Sequence, residues 1–378
     1  MKRPRRSEEQ CPYCAKRKKH LYLALDERKQ GGYLGFSIHK LDTDNMEEDA
    51  LPEPVLRFAA PDRAPMAFTA VGTSIFIATS PHLRGREGNH QEAPRPPTLV
   101  YDTETGALTI GPRLPDGYLG DSGGAPTVVD GERLYVLTDL YDDDLRQRSF
   151  SLRVLSRTPT TSSWYGSETA IMAWSWNDDN GAPPRRPPPC MGLDLVTSYA
   201  LHPDGRTIFM STTGFTWSLD TRDGVWKEVG CWPLPFTGQA YFDGDLDAWV
   251  GLRRGEDGYV CCCRVPSRSR SATTTRRQPP PECKMLKDKL FLRNDDDSKY
   301  PKGGQHLKTT LTYMGDSRFC LVENVMNTSN GLDATLNVTL FGLRYDRNGD
   351  LCTKLRRTTR SYAVSKNTRL FSHAAFWM

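Results

Sequence analysis

The chain has 378 residues, among them 31 Gly, 27 Pro and 10 Cys, and a formal net charge of +4. That length exceeds a small single core and suits two ordinary domains or one closed β architecture. The charge is uneven, because residues 1–19 hold eight Lys/Arg against two Glu, leaving the rest at −2 without bulk charge to grip phosphate.

Residues 1–19 read as a disordered basic arm. Lys2, Arg3, Arg5 and Arg6 form one cluster and Lys16, Arg17, Lys18 and Lys19 a second. Two short clusters about ten residues apart fit a bipartite nuclear-import signal read by an acidic receptor groove. The alternative is a solvated basic tail with weak affinity for nucleic acid, since Tyr13 alone is available for base stacking. Cys11-Pro12-Tyr13-Cys14 has only His20 as a further nearby ligand, short of the four that zinc needs, so a free thiol pair is expected. An intermolecular zinc site is the other reading of that pair. No apolar segment follows the arm, and no secretory signal is expected.

From residue 20 the chain repeats itself. One unit is an apolar strand, a Gly-centred turn and a second apolar strand. It appears as FTAVGTSIFIATS at 68–80, PTVVDGERLYVLTDL at 126–140 and SYALHPDGRTIFMST at 198–212. It returns as AYFDGDLDAWVGL at 240–252 and TLTYMGDSRFCLVEN at 310–324, with turn glycines Gly72, Gly131, Gly205, Gly244 and Gly315. A second unit, two strands about an Asp-centred turn, reads VYDTETGALTIGPRLP at 100–115, SLDTRDGVWKEVGCWPLP at 218–235 and LRYDRNGDLCTKLRR at 343–357. Weaker copies are FSIHKLDTDN at 36–45 and SLRVLSRTPTTSSW at 151–164.

Hairpin plus hairpin makes a four-stranded antiparallel blade. The expected fold is therefore all-β, a single β-propeller of about six four-stranded antiparallel blades over 20–366, with 367–378 as a C-terminal tail. Helix-period patterning is nearly absent, and uneven spacing between repeats is assigned to insertions such as NDDNGAPPRRPPP at 177–189. Two β-sandwich domains are the alternative. No apolar run approaches the ~18 residues a membrane span needs, so no membrane partner is expected.

HLYLALDE with FSIHKLD, LPEPVLRFAAP, VYDTETGALTIGPRLP, TSYALHPDGRTIFMS, LPFTGQAYFDGDLDAWVGL, GDSRFCLVE and RSYAVSK resemble a large plant family, mostly of cereals, carrying the domain of unknown function numbered 1668. The resemblance runs from about residue 20 to 366. It implies a kelch-like or galactose-oxidase-like propeller and no particular activity. Trp226 two residues after Gly224 is kelch-like, while the paired glycines ending a kelch strand are missing.

Candidate chemistry is thin. Gly120-Asp121-Ser122-Gly123-Gly124 copies the nucleophile string of chymotrypsin-like proteases, but no upstream histidine has the required setting, so the string reads as a turn between blades. The seven histidines form no close pair, and the acidic runs at Asp142–Asp144 and Asp295–Asp297 lack a calcium-loop pattern. No cofactor is expected. Adjacent Cys261, Cys262 and Cys263 point to alternate faces of a strand and read as reduced thiols, which leaves the sequons at Asn327 and Asn337 unused. Trp174, Trp176, Trp217, Trp226, Trp232 and Trp249 are expected to pack between blades or cap the core. Ser267, Ser269 and Ser271 lie in the arginine-rich tract SRSRSATTTRRQPPP, a candidate phosphorylation loop or a plain insertion. The expected function is a non-catalytic protein-interaction scaffold of unidentified partner, placed in the nucleus rather than the cytosol. The alternative is an enzyme with its site in the central channel.

Overall fold

A computed structural model describes residues 18–29, 32–46, 50–59, 66–79, 97–115, 127–142, 147–164, 167–177, 196–255, 259–267, 278–290, 309–326, 334–354, 357–365 and 373–378. Regular structure among the described residues is β throughout.

Strands β1 (Leu21–Lys29), β2 (Gly32–Leu41) and β3 (Leu56–Ala59) form a first sheet with β25 (His373–Trp377), in the order β25-β1-β2-β3. A second sheet runs β4 (Met66–Val71), β5 (Ser74–Thr79), β6 (Leu99–Asp102), β7 (Leu108–Ile110). The third holds β8 (Thr127–Asp130), β9 (Arg133–Asp142), β10 (Gln147–Trp164) and β11 (Ser167–Asn177). In the fourth are β12 (Ser198–Leu201), β13 (Thr207–Ser211), β14 (Thr216–Asp220) and β15 (Trp226–Gly230). The fifth comprises β16 (Phe236–Asp243), β17 (Ala248–Arg253), β18 (Val260–Arg264) and β19 (Cys283–Met285), and it is continuous with the fourth through β12 and β16 in the order β15-β14-β13-β12-β16-β17-β18-β19. The last is β20 (Thr309–Gly315), β21 (Arg318–Met326), β22 (Ala334–Tyr345) and β23 (Leu351–Thr353), with β24 (Thr358–Ser365) also on β22.

Packing between the sheets makes them a propeller. Tyr22, Ala24 and Ile38 of the first sheet pack on Ile75, Ile77 and Tyr101 of the second. Val71, Phe76 and Val100 meet Leu134, Val136 and Leu155 of the third, whose Tyr135, Leu137 and Leu152 meet Ile208, Met210 and Leu219 of the fourth. Phe209 continues to Phe236 and Trp249, and Val250 and Val260 to Phe319 and Leu321. Val322, Leu336 and Val338 return to Leu21, Leu23 and Leu25, closing the circuit. The inner and middle strands of each sheet are thus covered on both faces, so strands such as β13 and β18 read as near-continuous apolar runs. Two separate sandwiches would pair sheets off, and this cycle excludes them.

The inner strands form the hub. β12 and β16 pair in parallel, with Ser198 opposite Gly238 and Ala200 opposite Ala240. β20 approaches both β16 and β25, β25 approaches β4, and β8 lies against β4 and β12. Thr312 donates its hydroxyl to the Ala375 carbonyl at 3.2 Å, bonding β20 to β25. The segment 367–378, expected as a tail, therefore carries the innermost strand of the first sheet. Backbone bonds from His20 N to Met378 O (2.7 Å) and from Met378 N to His20 O (3.1 Å) extend that pairing.

The turns follow the expected chemistry with two exceptions. Gly72, Gly131, Gly205 and Gly315 have φ of +58°, +56°, +70° and +86°, a region open to glycine at little cost. The 240–252 hairpin instead places its left-handed residue at Asp247 (φ +46°), not at Gly244. Residues 151–164 were expected to hold a turn, but β10 runs unbroken through them because β9 and β11 pair along its two sides. In the second units the aspartates act as hubs. Asp102 Oδ1 accepts the N–H groups of Glu104 and Thr105, and Asp346 Oδ1 those of Asn348 and Asp350. Such side-chain bonds turn the backbone where the ladder ends.

Candidate functional site

Cysteine chemistry gathers at the outer edge of the fifth sheet. Cys261, Cys262 and Cys263 lie on β18, between β17 and the edge strand β19. Alternation sends Cys261 and Cys263 towards the fourth sheet and Cys262 towards the last, as the sequence requires. Cys283 opens β19 directly opposite Cys263 and packs against the same side as Cys261. Arg253, which ends β17, donates from Nη1 to Cys283 Sγ at 3.4 Å.

The thiols differ in surroundings. Cys261 is fully buried, and its thiol donates to the Pro235 carbonyl at 3.7 Å. The neighbouring Cys283 sulfur, and then burial, push the Cys261 thiol far up. Burial first, then the neighbouring sulfurs, do the same to Cys263. On the opposite face, Cys262 Sγ lies 3.4 Å from the Tyr345 hydroxyl, and the Lys284 ammonium stands 5.0 Å over the Tyr345 ring. The fold thus sets one half-buried thiol beside a guanidinium and keeps its neighbours protonated. No group of three metal-ligating side chains with metal-site geometry occurs among the described residues.

Other sites expected from the sequence stay apart from this cluster. Lys2, Arg3, Arg5, Arg6, Lys16 and Arg17, the pair Cys11 and Cys14, and the GDSGGAP string lie outside the described residues. Lys18 and Lys19 are described and exposed, and the Lys18 ammonium bonds Asp42 (2.6 Å) and reaches Asp44 (3.3 Å) in the turn after β2. Ser267 is exposed and its carbonyl accepts Gln278 Nε2 at 2.9 Å, while Ser269 and Ser271 lie outside the described residues. Asn337 of the second sequon is buried and accepts the Ser361 hydroxyl at 2.6 Å, closing it to glycosylation in the folded chain. All six singled-out tryptophans pack in the seams between sheets: Trp174 and Trp176 between second and third, Trp217 and Trp226 between third and fourth, Trp232 and Trp249 between fourth and fifth. Arg253 and Cys283 were missed, because their contact spans 30 residues and no local pattern marks it.

The family profile described as "Protein of unknown function (DUF1668)" matches residues 18–368. The chain belongs to the DUF1668 family. Among curated proteins none matches it in sequence. Solved structures similar to this DUF1668 protein include the complex of KlAtg21 with the coiled-coil of AgAtg16, at 11% identity over 89% of this chain and 81% of that one, with a TM-score of 0.42. The nidogen/laminin complex gives 10% identity, 95% and 98% coverage and a TM-score of 0.39. The Cps50 (Swd1) β-propeller domain of Myceliophteria thermophila gives 10%, 86%, 80% and 0.32. Scores this low carry no weight, and the propeller rests on the sheet cycle itself.

Proposed function

We propose that this DUF1668 protein is a six-bladed, kelch-like propeller acting as a non-catalytic scaffold for a protein partner. The closed ring of sheets carries the reading. Among the described residues the sheets cover one another's faces along the inner strands, which leaves strand-end turns and outer strands to meet another molecule. A ring that holds its turns rigidly spares a partner the entropy of ordering them. Apolar side chains on the edge strand β7, Leu108 and Ile110, are 45% and 75% exposed and add contact area there. The kelch-like assignment rests on Trp226 two residues after Gly224, whose φ is +69°.

In the same reading the basic arm directs the chain to the nucleus through an import receptor. Asp42 and Asp44 pair with Lys18, which leaves Lys2, Arg3, Arg5, Arg6, Lys16, Arg17 and the exposed Lys19 to carry the signal. Affinity purification from a native extract, read by mass spectrometry, tests the scaffold. Reproducible stoichiometric partners are expected; tightly bound copper with no such partner would instead establish an enzyme built around the central channel. Fusing residues 1–19 to a cytosolic reporter tests the arm, and an unchanged distribution rejects nuclear import.

A further inference from the structure

We propose that the chain's own basic arm, residues 1–17, docks on the acidic face made by the inner hairpin turns of the last two sheets. The docking is independent of where the protein goes in the cell. Only its consequence, a covered import signal, rests on the nuclear reading.

The β16–β17 and β20–β21 turns share one end of the ring, where the Ser317 hydroxyl of one bonds Asp243 of the other at 2.8 Å. The first sheet has no such turn. Its inner strand β25 runs out at Met378, and backbone bonds between Met378 and His20 hold both chain ends in the place of the turn. Met314, next to the β20–β21 turn, packs with Leu21 and Trp377. The arm therefore leaves the ring beside that turn and on its face.

The face is acidic where the arm leaves it. Asp245 and Asp247 of one turn and Asp316 of the other are exposed. Asp243 is fully buried with them, and its Oδ2 has no hydrogen-bond donor. The nearby cations are fewer: the exposed Arg318, and Lys354 at 3.9 Å from Asp245. The arm brings the opposite charge in Lys2, Arg3, Arg5, Arg6, Lys16 and Arg17. Its first described residue already pairs in this way, because Lys18 bonds Asp42, just past the Leu41 that faces Leu21. The stretch from Lys18 back to Arg6 reaches about 40 Å when extended, while the β16–β17 turn lies two sheets away, about 20 Å. Single exposed ion pairs are weak, so several act together. The tether holds the arm at roughly millimolar local concentration, which favours it over a second copy or a foreign basic segment.

The test mixes unlabelled and isotope-labelled full-length chains and treats them with a carbodiimide, which joins a lysine amine to a carboxylate it touches. Mass spectrometry is expected to find Lys2 or Lys16 joined to Asp245, Asp247 or Asp316 within single chains, and the links should fade in about 0.5 M NaCl. Limited trypsin digestion supplies a second reading. Replacing the three exposed carboxylates together (Asp245→Asn, Asp247→Asn, Asp316→Asn) should speed cleavage of the arm by about fivefold or more. Asn tolerates the left-handed backbone of positions 247 and 316, and an unchanged thermal midpoint checks that the variant folds. Links that join labelled to unlabelled chains would assign the face to a second copy. Absent links would leave it open to a foreign basic segment. Either result, or an equal cleavage rate in the folded variant, would overturn the docking without touching nuclear import, which the 1–19 reporter tests separately.

Discussion

The Ser317 hydroxyl donates to Asp243 Oδ1 at 2.8 Å, joining two hairpin turns that lie 74 residues apart. The same carboxylate oxygen accepts the N–H groups of Asp245 (3.1 Å) and Leu246 (2.9 Å), so one side chain shapes its own turn and secures that of the next sheet. Ser317 accordingly holds a left-handed backbone, φ +55°, after Gly315 and Asp316 at +86° and +52°. Beside this pair, burial and then the Asp243 carboxylate push the Tyr313 phenol up to about 12.

Ser317→Ala should lower stability by about 1–3 kcal/mol, because the fully buried Asp243 loses a donor. Ser317→Gly removes the same hydroxyl but relieves the left-handed strain, and its loss should be smaller. Urea unfolding compares the midpoints at constant m-value. Equal losses would show that the strain does not matter.

Gly230 leaves room for one indole. A methyl group there would lie 2.7 Å from Trp232 Cδ1 and 2.8 Å from Cε2, and Trp232 Nε1 donates to the Gln278 carbonyl at 2.7 Å. Gly230→Ala should cost about 1–3 kcal/mol from overpacking. A red-shifted tryptophan emission would report release of the ring.

Removing residues 373–378 deletes the inner strand of the first sheet and uncovers Leu21, Leu23 and Leu25 along β1. The truncated chain is expected to lose its cooperative thermal transition and aggregate. A synthetic peptide of those residues, added in excess, should restore part of it, since ligation of the native state shifts the folding equilibrium. A normal transition without the strand would refute ring closure as a stability requirement.

Asp204 predicts an acid response. Burial opposes its charge, but the N–H groups of Arg206 and Thr207, the Thr207 hydroxyl and His202 outweigh it and hold the carboxyl at about 2. A depressed folded value means stability fully present above the ordinary 3.8 and lost as pH falls through about 2. The contribution is about 1 kcal/mol after solvent screening. Asp204→Asn should flatten the pH dependence of the thermal midpoint between pH 4 and 2, relative to the unaltered protein.

Much of the architecture is written locally. The Gly turns at 72, 131, 205 and 315 and the Asp hubs at 102 and 346 lie where short-range chemistry demands them. Alternation along Cys261-Cys262-Cys263 assigns each thiol its seam before any partner is known. These features are decided within a few residues by φ preference, side-chain-to-backbone bonds and the period of a strand.

Other features depend on which distant segments meet. Sequence patterning could not tell that His373–Trp377 completes the first sheet, because its partner is β1, at the opposite end of the chain. Nor could it tell that 151–164 stays extended, since the pairings on either side of β10 suppress the turn. The Arg253–Cys283 contact likewise exists only once β17, β18 and β19 are in register. Local chemistry settled most strands, four of the five glycine turns and the faces of the cysteines on β18. Only tertiary structure decided ring closure and the charge beside Cys283, because both arise from pairings whose loop-closure entropy is repaid by the assembled sheets.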